Sequence, residues 1–98
     1  MKTINIMNEP EYKLRLFITG ATPNSTRAVT NIKRICEQHI RGKYLLEIID
    51  LYIKKEVAEQ EQLVAVPMLL KVFPLPAKKL VGDMSNKEIV LAALGLSL

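Results

Sequence analysis

Apolar and polar positions alternate along the segment YKLRLFI, residues 12–18. Every second side chain is apolar, and the first two intervening residues are Lys13 and Arg15. This alternation is the period of a half-buried β-strand. Phe17 then stands where the next polar residue would fall, so both faces of the second half of this strand are expected to be covered. The pattern predicts a strand over residues 12–18.

A helical period follows this strand. Apolar residues recur at intervals of three and four from Ala28 to Ile40. Thr22 and Pro23 precede them as N-cap and first helical residue, a position where proline loses nothing by lacking an N–H. Gly42 supplies the expected stop. These signals predict a helix that begins at Pro23 and ends just before Gly42.

The middle of the chain predicts three more strands and a weaker helix. The short apolar run YLLEIID, residues 44–50, predicts a strand, interpreted as an inner one, that pairs in parallel with the first through a right-handed crossover. Residues 53–63 predict a weaker helix, because their apolar stripe is sparse. PMLLKVF, residues 67–73, and KKLVG, residues 78–82, predict a hairpin across the turn PLPA.

The final helix is predicted from a capping box. Ser85 and Glu88 are spaced so that the Ser85 hydroxyl can accept from the Glu88 N–H while the Glu88 carboxylate reaches back to the Ser85 N–H. Met84 and Ile89 occupy the positions of a hydrophobic staple. One helix is therefore expected from Ser85 toward Leu96.

The predicted order of elements is β-α-β-α-β-β-α. This is the order of the thioredoxin-like fold, an α/β fold with a mixed four-stranded sheet and helices on both faces. The chain has 98 residues, enough for a single core. We expect residues 12–98 to form one domain and residues 1–11 to form a flexible N-terminal tail.

The charge balance favours a protein partner. The net charge is +4, but the basic residues are scattered and interleaved with acids, and no RNP-like motif accompanies them. A basic face for an acidic protein is therefore favoured over nucleic acid. The N-terminus lacks the apolar segment of a signal peptide, and the longest apolar stretch, residues 63–76, is broken by prolines and a lysine. We expect a cytoplasmic protein without a membrane partner.

The candidate thiol chemistry is weak. Cys36 is the only cysteine, which excludes an internal disulfide and a cysteine-based zinc cluster. It lies on the apolar stripe of the first helix and is interpreted as core; a nucleophilic pair with His39 is the less favoured alternative. The junction TPNS, residues 22–25, lies where many thiol-redox domains carry reactive cysteines, yet a helix cap is favoured over a degenerate active site. No catalytic residue, cofactor or metal site is predicted.

Longer motifs resemble known families at two levels. The segment VAVPMLLKVF…KKLVGDMSNKEIVLAAL resembles the C-terminal half of thioredoxins, where a cis-proline opens a strand and a hairpin, a glycine and the last helix follow. Pro67 and Gly82 hold the places of that proline and glycine. More closely, LFITGATPNSTRAV, LLEIIDL and VAVPMLLKVFPLPAKKLVGDMSNKE resemble motifs of the KaiB family of circadian-clock proteins, over about Tyr12 to Leu94.

The resemblance implies a non-enzymatic adaptor that docks on a KaiC-like ATPase to regulate a clock, stress-response or signalling system, with a KaiA-like or histidine-kinase partner as a further binding protein. Basic positions associated with ATPase contact in the family match Arg27, Lys71 and Lys78. Lys78 and Lys79 replace the usual arginines, so they keep the charge but lose the planar fork for bidentate pairing. The family also forms dimers and tetramers, so a homo-oligomer is expected.

Two other classes of function stay open. One is a small thiol- or glutathione-linked enzyme of the thioredoxin superfamily, against which the missing cysteine pair counts. The weaker one is a basic RNA- or DNA-binding module.

The family is known for two folds, and some members carry a glycine in the segment that matches Ala92-Ala93. Alanine favours a helix interior over glycine by roughly 0.5–1 kcal/mol. If the two folds differ by only a few kcal/mol, this difference matters. We predict that the thioredoxin-like fold is the resting one.

Overall fold

A mixed sheet of four strands forms the centre of the computed structural model, which describes residues 9–61 and 65–96. The strands lie in the order β2-β1-β3-β4, with β1 parallel to β2 and antiparallel to β3, and with β3 and β4 in an antiparallel hairpin. The elements are β1 (Tyr12–Ile18), α1 (Pro23–His39), β2 (Tyr44–Asp50), α2 (Lys55–Gln60), β3 (Met68–Phe73), β4 (Lys78–Val81) and α3 (Lys87–Leu94). The predicted element order and thioredoxin-like α/β class are confirmed.

The central strand β1 has buried side chains on both of its faces, as predicted. Leu14 and Leu16 lie in the larger core, beneath α1 and α3, while Phe17 lies in a smaller core on the opposite face with Ile49 and Met68. Val57 of α2 packs against this smaller core. Helices therefore cover both faces of the sheet.

The prediction that β2 is an inner strand is wrong. Among residues 9–61 and 65–96, β2 pairs only with β1 and forms one edge of the sheet. Leu45 and Ile48 are exposed, and Ile49 is the one residue of β2 that is fully buried. The apolar run was typical of an inner strand, but composition does not distinguish a strand with two neighbours from an edge strand whose faces are partly covered.

The predicted capping box of α3 is also wrong. The N-cap is Asn86, whose side-chain Oδ1 accepts the Ile89 N–H at 3.2 Å. Ser85 lies before the helix and its N–H donates to Asp83 Oδ1 at 3.1 Å, so it is not available to the Glu88 carboxylate. The hydrophobic staple fails with it, because Met84 is buried while Ile89 is exposed.

The ends of the other elements follow their caps. α1 ends at His39, and the chain turns at Gly42, whose φ of +77° favours glycine. α2 is shorter than predicted, and its N-cap, Lys54, makes no side-chain cap hydrogen bond. α3 ends at Gly95 with φ of +82°. Residues 1–8 of the predicted tail lie outside the described residues.

Candidate docking surface

The junction between β1 and α1 is a helix cap, as the sequence indicated. Thr22 is the N-cap, its side-chain oxygen accepts the Ser25 N–H at 3.3 Å, and Pro23 occupies the first turn. The Ser25 hydroxyl is fully buried and accepts the Thr19 N–H at 3.1 Å. Both hydroxyls of this turn are therefore committed to holding the backbone.

The carboxylate of Asp50, which the sequence analysis did not single out, connects the β1–α1 junction to the turn after β2. Asp50, at the end of β2, accepts the Gly20 N–H and the Tyr52 N–H on the same Oδ1, each at 2.9 Å. The Tyr52 ring lies against Gly20 so closely that an added Cβ would sit 2.6 Å from the ring. The carboxyl ends of two neighbouring parallel strands meet at one edge, so an Asp at one and a Gly at the other were the available signal.

Pro67 precedes β3, and the Val66–Pro67 peptide bond is cis. The Pro67 carbonyl accepts the Gly82 N–H at 2.9 Å, which extends the β3–β4 ladder by one bond. Gly82 has φ of +126°, a conformation that favours glycine. Both residues therefore shape the end of the hairpin.

Cys36 is a core residue, as predicted. Its side chain is fully buried in the larger core, and burial, with a smaller contribution from the charge of Glu37, raises the pKa of the thiol to about 12. A thiol in this state is a poor nucleophile at neutral pH, because the thiolate is the reactive form. His39 is exposed at the end of α1.

Arg27 lies on the exposed side of α1 and is already paired. Its Nε donates to Asp83 Oδ2 at 3.1 Å, and a second guanidinium nitrogen donates to the Asn24 side chain. The Ser85 hydroxyl, followed by the Arg27 guanidinium, lowers the pKa of Asp83 below its ordinary value. Arg27 therefore anchors α1 to the loop before α3.

The three predicted lysines divide between the two faces of the sheet. Lys71 of β3 and Lys78 of β4 are paired in register and point to the face covered by α1 and α3, while Lys79 points to the other face. Lys78 and Lys79 are exposed, but Lys71 is only 4% exposed, which the sequence did not indicate. Arg27 contacts Asp83, five residues beyond Lys78 along the chain. The four cations thus do not form one continuous face.

Apolar side chains are exposed at several other places, among them the hairpin turn and β2. Phe73 and Leu75, apolar residues available for the expected self-association, are both exposed at the hairpin turn. Leu96 instead packs against the larger core, and Leu98 lies outside the described residues. The outer edge of β2 exposes Leu45 and Ile48 along a strand of seven residues. Edge strands with exposed apolar side chains are sites where another strand can pair.

Within residues 9–61 and 65–96 we find no cluster of His, Cys, Asp and Glu arranged to hold a metal ion. No helix in the same part of the chain is long and apolar enough to cross a membrane.

Sequence comparisons identify close relatives. Residues 15–96 match the family model described as "KaiB domain". The circadian clock oscillator protein KaiB of Gloeothece citriformis is 44% identical over 87% of this chain and 80% of its own length. The protein of the same name from Synechococcus elongatus is 42% identical over 87% of this chain and 83% of its own.

Solved structures share the fold at lower identity. The N-terminal domain of Synechococcus elongatus SasA superposes with a TM-score of 0.69 at 23% identity, covering 89% of this chain and 85% of that domain. Chloroplastic thioredoxin z gives a TM-score of 0.74 at 10% identity, covering 96% of this chain and 87% of its own. These likenesses establish the thioredoxin-like fold.

Proposed function

The chain belongs to the KaiB family, and we propose that it is a non-enzymatic adaptor that docks on a KaiC-like ATPase to regulate a clock, stress-response or signalling system. The observation that carries the proposal is the match to the family over residues 15–96, together with 42–44% identity to circadian clock oscillator proteins across most of the chain. Its effect on the ATPase would come from binding alone.

The chemistry at the β1–α1 junction supports a binding role over a redox one. Thr22 and Ser25 carry hydroxyls there, and both accept backbone N–H groups. Dithiol redox exchange needs a low-pKa thiolate and a resolving thiol, whereas Cys36 has a raised pKa and is buried on α1. A thiol- or glutathione-linked enzyme on this scaffold would need a different nucleophile.

For the ATPase contact we propose the exposed cations Arg27, Lys78 and Lys79, with the nearly buried Lys71, which is paired in register with Lys78, as a supporting charge beside them. Lys78 and Lys79 are both exposed on the four-residue edge strand β4. Arg27 retains a side chain that is 55% exposed despite its pair with Asp83. An acidic surface on the ATPase would be attracted to these charges, and the attraction would weaken as salt is added.

For a KaiA-like or histidine-kinase partner we propose the outer edge of β2. Within the described residues, the backbone N–H and C=O groups on its outer side have no strand partner, and Leu45 and Ile48 are exposed beside them. A strand of the partner that paired there would extend the sheet, with main-chain hydrogen bonds supplying affinity. This edge lies on the far side of the sheet from β4, so both partners could bind together.

The test is a pull-down of the KaiC homologue from the same genome, loaded with ATP or with ADP. We expect binding in at least one nucleotide state. The double variant K78E/K79E should bind at least tenfold more weakly, because two positive charges at the rim of the contact become negative. A tenfold loss corresponds to about 1.4 kcal/mol of binding free energy. The variant K54E/K55E is the matched control, since it makes the same charge change at exposed lysines next to α2.

Absence of binding in both nucleotide states would overturn the adaptor proposal. Equal losses for the two double variants would keep the adaptor role but remove β4 from the contact. An insulin-reduction assay covers the enzymatic alternative: turnover that disappears in Cys36→Ala would favour a thiol enzyme.

A further inference from the structure

Helix α1 carries arginines at seven-residue intervals. Arg27 and Arg34 lie within the helix and Arg41 follows directly after its C-cap. Seven residues make almost two full turns, so Arg27 and Arg34 lie on one exposed line about 10.5 Å apart. Arg41 pairs with Glu37 of the last turn and adds a third guanidinium beyond the helix end, and the three are here named the arginine stripe. None of the three is needed for the core beneath α1, whose buried residues lie on the opposite side.

Each guanidinium of the arginine stripe is held by a side chain one turn earlier on the same helix. The side-chain oxygens of Asn24 and Asn31 accept hydrogen bonds from Arg27 and Arg34, and Glu37 pairs with Arg41 at 3.5 Å. The first two pairs repeat the motif Asn-x-x-Arg. These contacts place the three guanidinium groups beside the side chains that precede them, on the exposed side of the helix.

Asn31 is fixed in turn by the rest of the protein. Its amide donates to the Asp83 carbonyl at 2.9 Å, so it joins α1 to the loop before α3 while its oxygen positions Arg34. An amide orients a guanidinium without neutralising it. Among residues 9–61 and 65–96, Arg27 and Arg41 form ion pairs and Arg34 forms none, so the centre of the stripe keeps its full charge.

We propose that the arginine stripe docks an acidic α-helix of a protein partner, with carboxylates at matching seven-residue intervals. A second helix has the same rise per residue, so residues seven apart on it meet arginines seven apart on α1. Guanidinium groups pair with carboxylates in a planar, two-bond geometry that lysines cannot reproduce.

Nucleic acid fits the stripe less well. Duplex DNA carries one charge per about 1.7 Å of axis, far denser than one arginine per about 10.5 Å. Asp83 and Glu37 also lie within the stripe, bonded to its first and last arginines, and would repel phosphates. A protein helix can place neutral residues opposite these two carboxylates.

The experiment measures binding of synthetic, alanine-rich helical peptides to the full chain by fluorescence anisotropy at low salt. One peptide carries three glutamates at seven-residue intervals, and a second carries the same residues at five-residue intervals, which spreads the charges around the helix. A single-stranded DNA oligonucleotide is the third probe. No ATPase is present, so failure here is independent of the adaptor proposal.

We expect the seven-residue peptide to bind at least fivefold more tightly than the five-residue peptide and the oligonucleotide. R34E should weaken its binding about tenfold, while K33E should change it less than threefold. Lys33 is the matched control because it is exposed on the same helix, one residue away but about 100° around its axis.

Equal losses for R34E and K33E would overturn the inference, because they would show attraction to net charge alone. Equal affinity for the two peptides, or preference for the oligonucleotide, would overturn it as well. Both variants alter exposed side chains, and thermal unfolding of each establishes that the fold is intact before binding is compared.

Discussion

At the scale of single residues, surroundings decide which side chains can react. Cys36 is held in the larger core, where burial raises the pKa of its thiol to about 12. Thr22 and Ser25 stand at the β1–α1 junction, where thiol-redox domains carry their reactive cysteines, but their hydroxyls accept hydrogen bonds from backbone N–H groups. The thiol of Cys36 is therefore separated from the β1–α1 junction, where a reactive cysteine would be expected.

We predict that iodoacetamide labels Cys36 in the folded protein at pH 8 far more slowly than in the urea-unfolded protein. The physical reason is that the thiol is buried and protonated, so reaction requires opening of α1. Mass spectrometry follows the label, and the unfolded chain is the control. Equal labelling rates in the two states would contradict the burial of this thiol.

The raised pKa also predicts a pH dependence of stability. The thiol proton is lost near pH 9 in the unfolded chain but only near pH 12 in the folded one, so the folded state binds the proton more tightly. This contribution is fully present below pH 9 and is lost as pH rises toward 12. Urea unfolding between pH 8 and about 10 should show a decline in stability that Cys36→Ala reduces; an unchanged slope would contradict it.

Replacing Gly20 with alanine should have a local effect that the same replacement at Gly42 does not have. Both have positive φ, so alanine at either site should destabilise the fold by about 1–2 kcal/mol in urea unfolding. At Gly20 the new Cβ would also meet the Tyr52 ring, whereas nothing lies within 4 Å at Gly42. The NMR shifts of the Tyr52 ring should therefore change in Gly20→Ala and not in Gly42→Ala; unchanged shifts in both would contradict the contact.

At the scale of elements, local sequence signals predicted which helices and strands exist better than they predicted the neighbours of each element. β1 and the start of α1 were predicted to the residue, because strict alternation and a Thr-Pro cap act locally. The edge position of β2 and the burial of Lys71 were missed, because both depend on neighbours brought in by the fold. Lys71 does share the phase of Leu69, and that is the one local sign of its burial.

The cap of α3 was missed by one residue because Asp83, Ser85 and Asn86 can all cap a helix and lie close together. We predict that Asn86→Ala destabilises the protein by about 1 kcal/mol and that Ser85→Ala has a smaller effect, since Asn86 alone bonds to a helical N–H. Urea unfolding measures both variants. A larger effect for Ser85→Ala would restore the predicted capping box.

At the scale of the whole molecule, the two edges of the sheet differ. β4 is short and carries two lysines, which discourages pairing with another strand, while β2 is longer and exposes apolar side chains. Lys71 and Lys78 lie on one face of the sheet and Lys79 on the other, because neighbouring residues of a strand point to opposite faces. The pairing of β3 with β4, which brings Lys71 beside Lys78, cannot be read from a single stretch of sequence. Membership in the family was recognisable from motifs, whereas the contacts of Asp50 with Gly20 and of Asn31 with the Asp83 carbonyl emerged only from the fold.

Self-association stays a prediction, and Leu75 offers a test. Leu75 and Ile53 are similarly exposed, at 76% and 77%, but Ile53 lies at the other end of the sheet, after β2. If the hairpin turn mediates a dimer or tetramer, Leu75→Ser should shift the protein toward monomer in sedimentation analysis and Ile53→Ser should not. A shift with Ile53→Ser alone would place the interface elsewhere.

The side chain of Lys71 has two properties with opposite effects on stability. Its hydrocarbon chain is buried as that of a methionine would be, but its ammonium must be kept hydrated or bonded, which opposes folding. Lys71→Met should therefore leave the melting temperature unchanged or higher. If the same variant also loses affinity for the ATPase, then this lysine is retained at the expense of stability, and a more robust protein would be a poorer regulator.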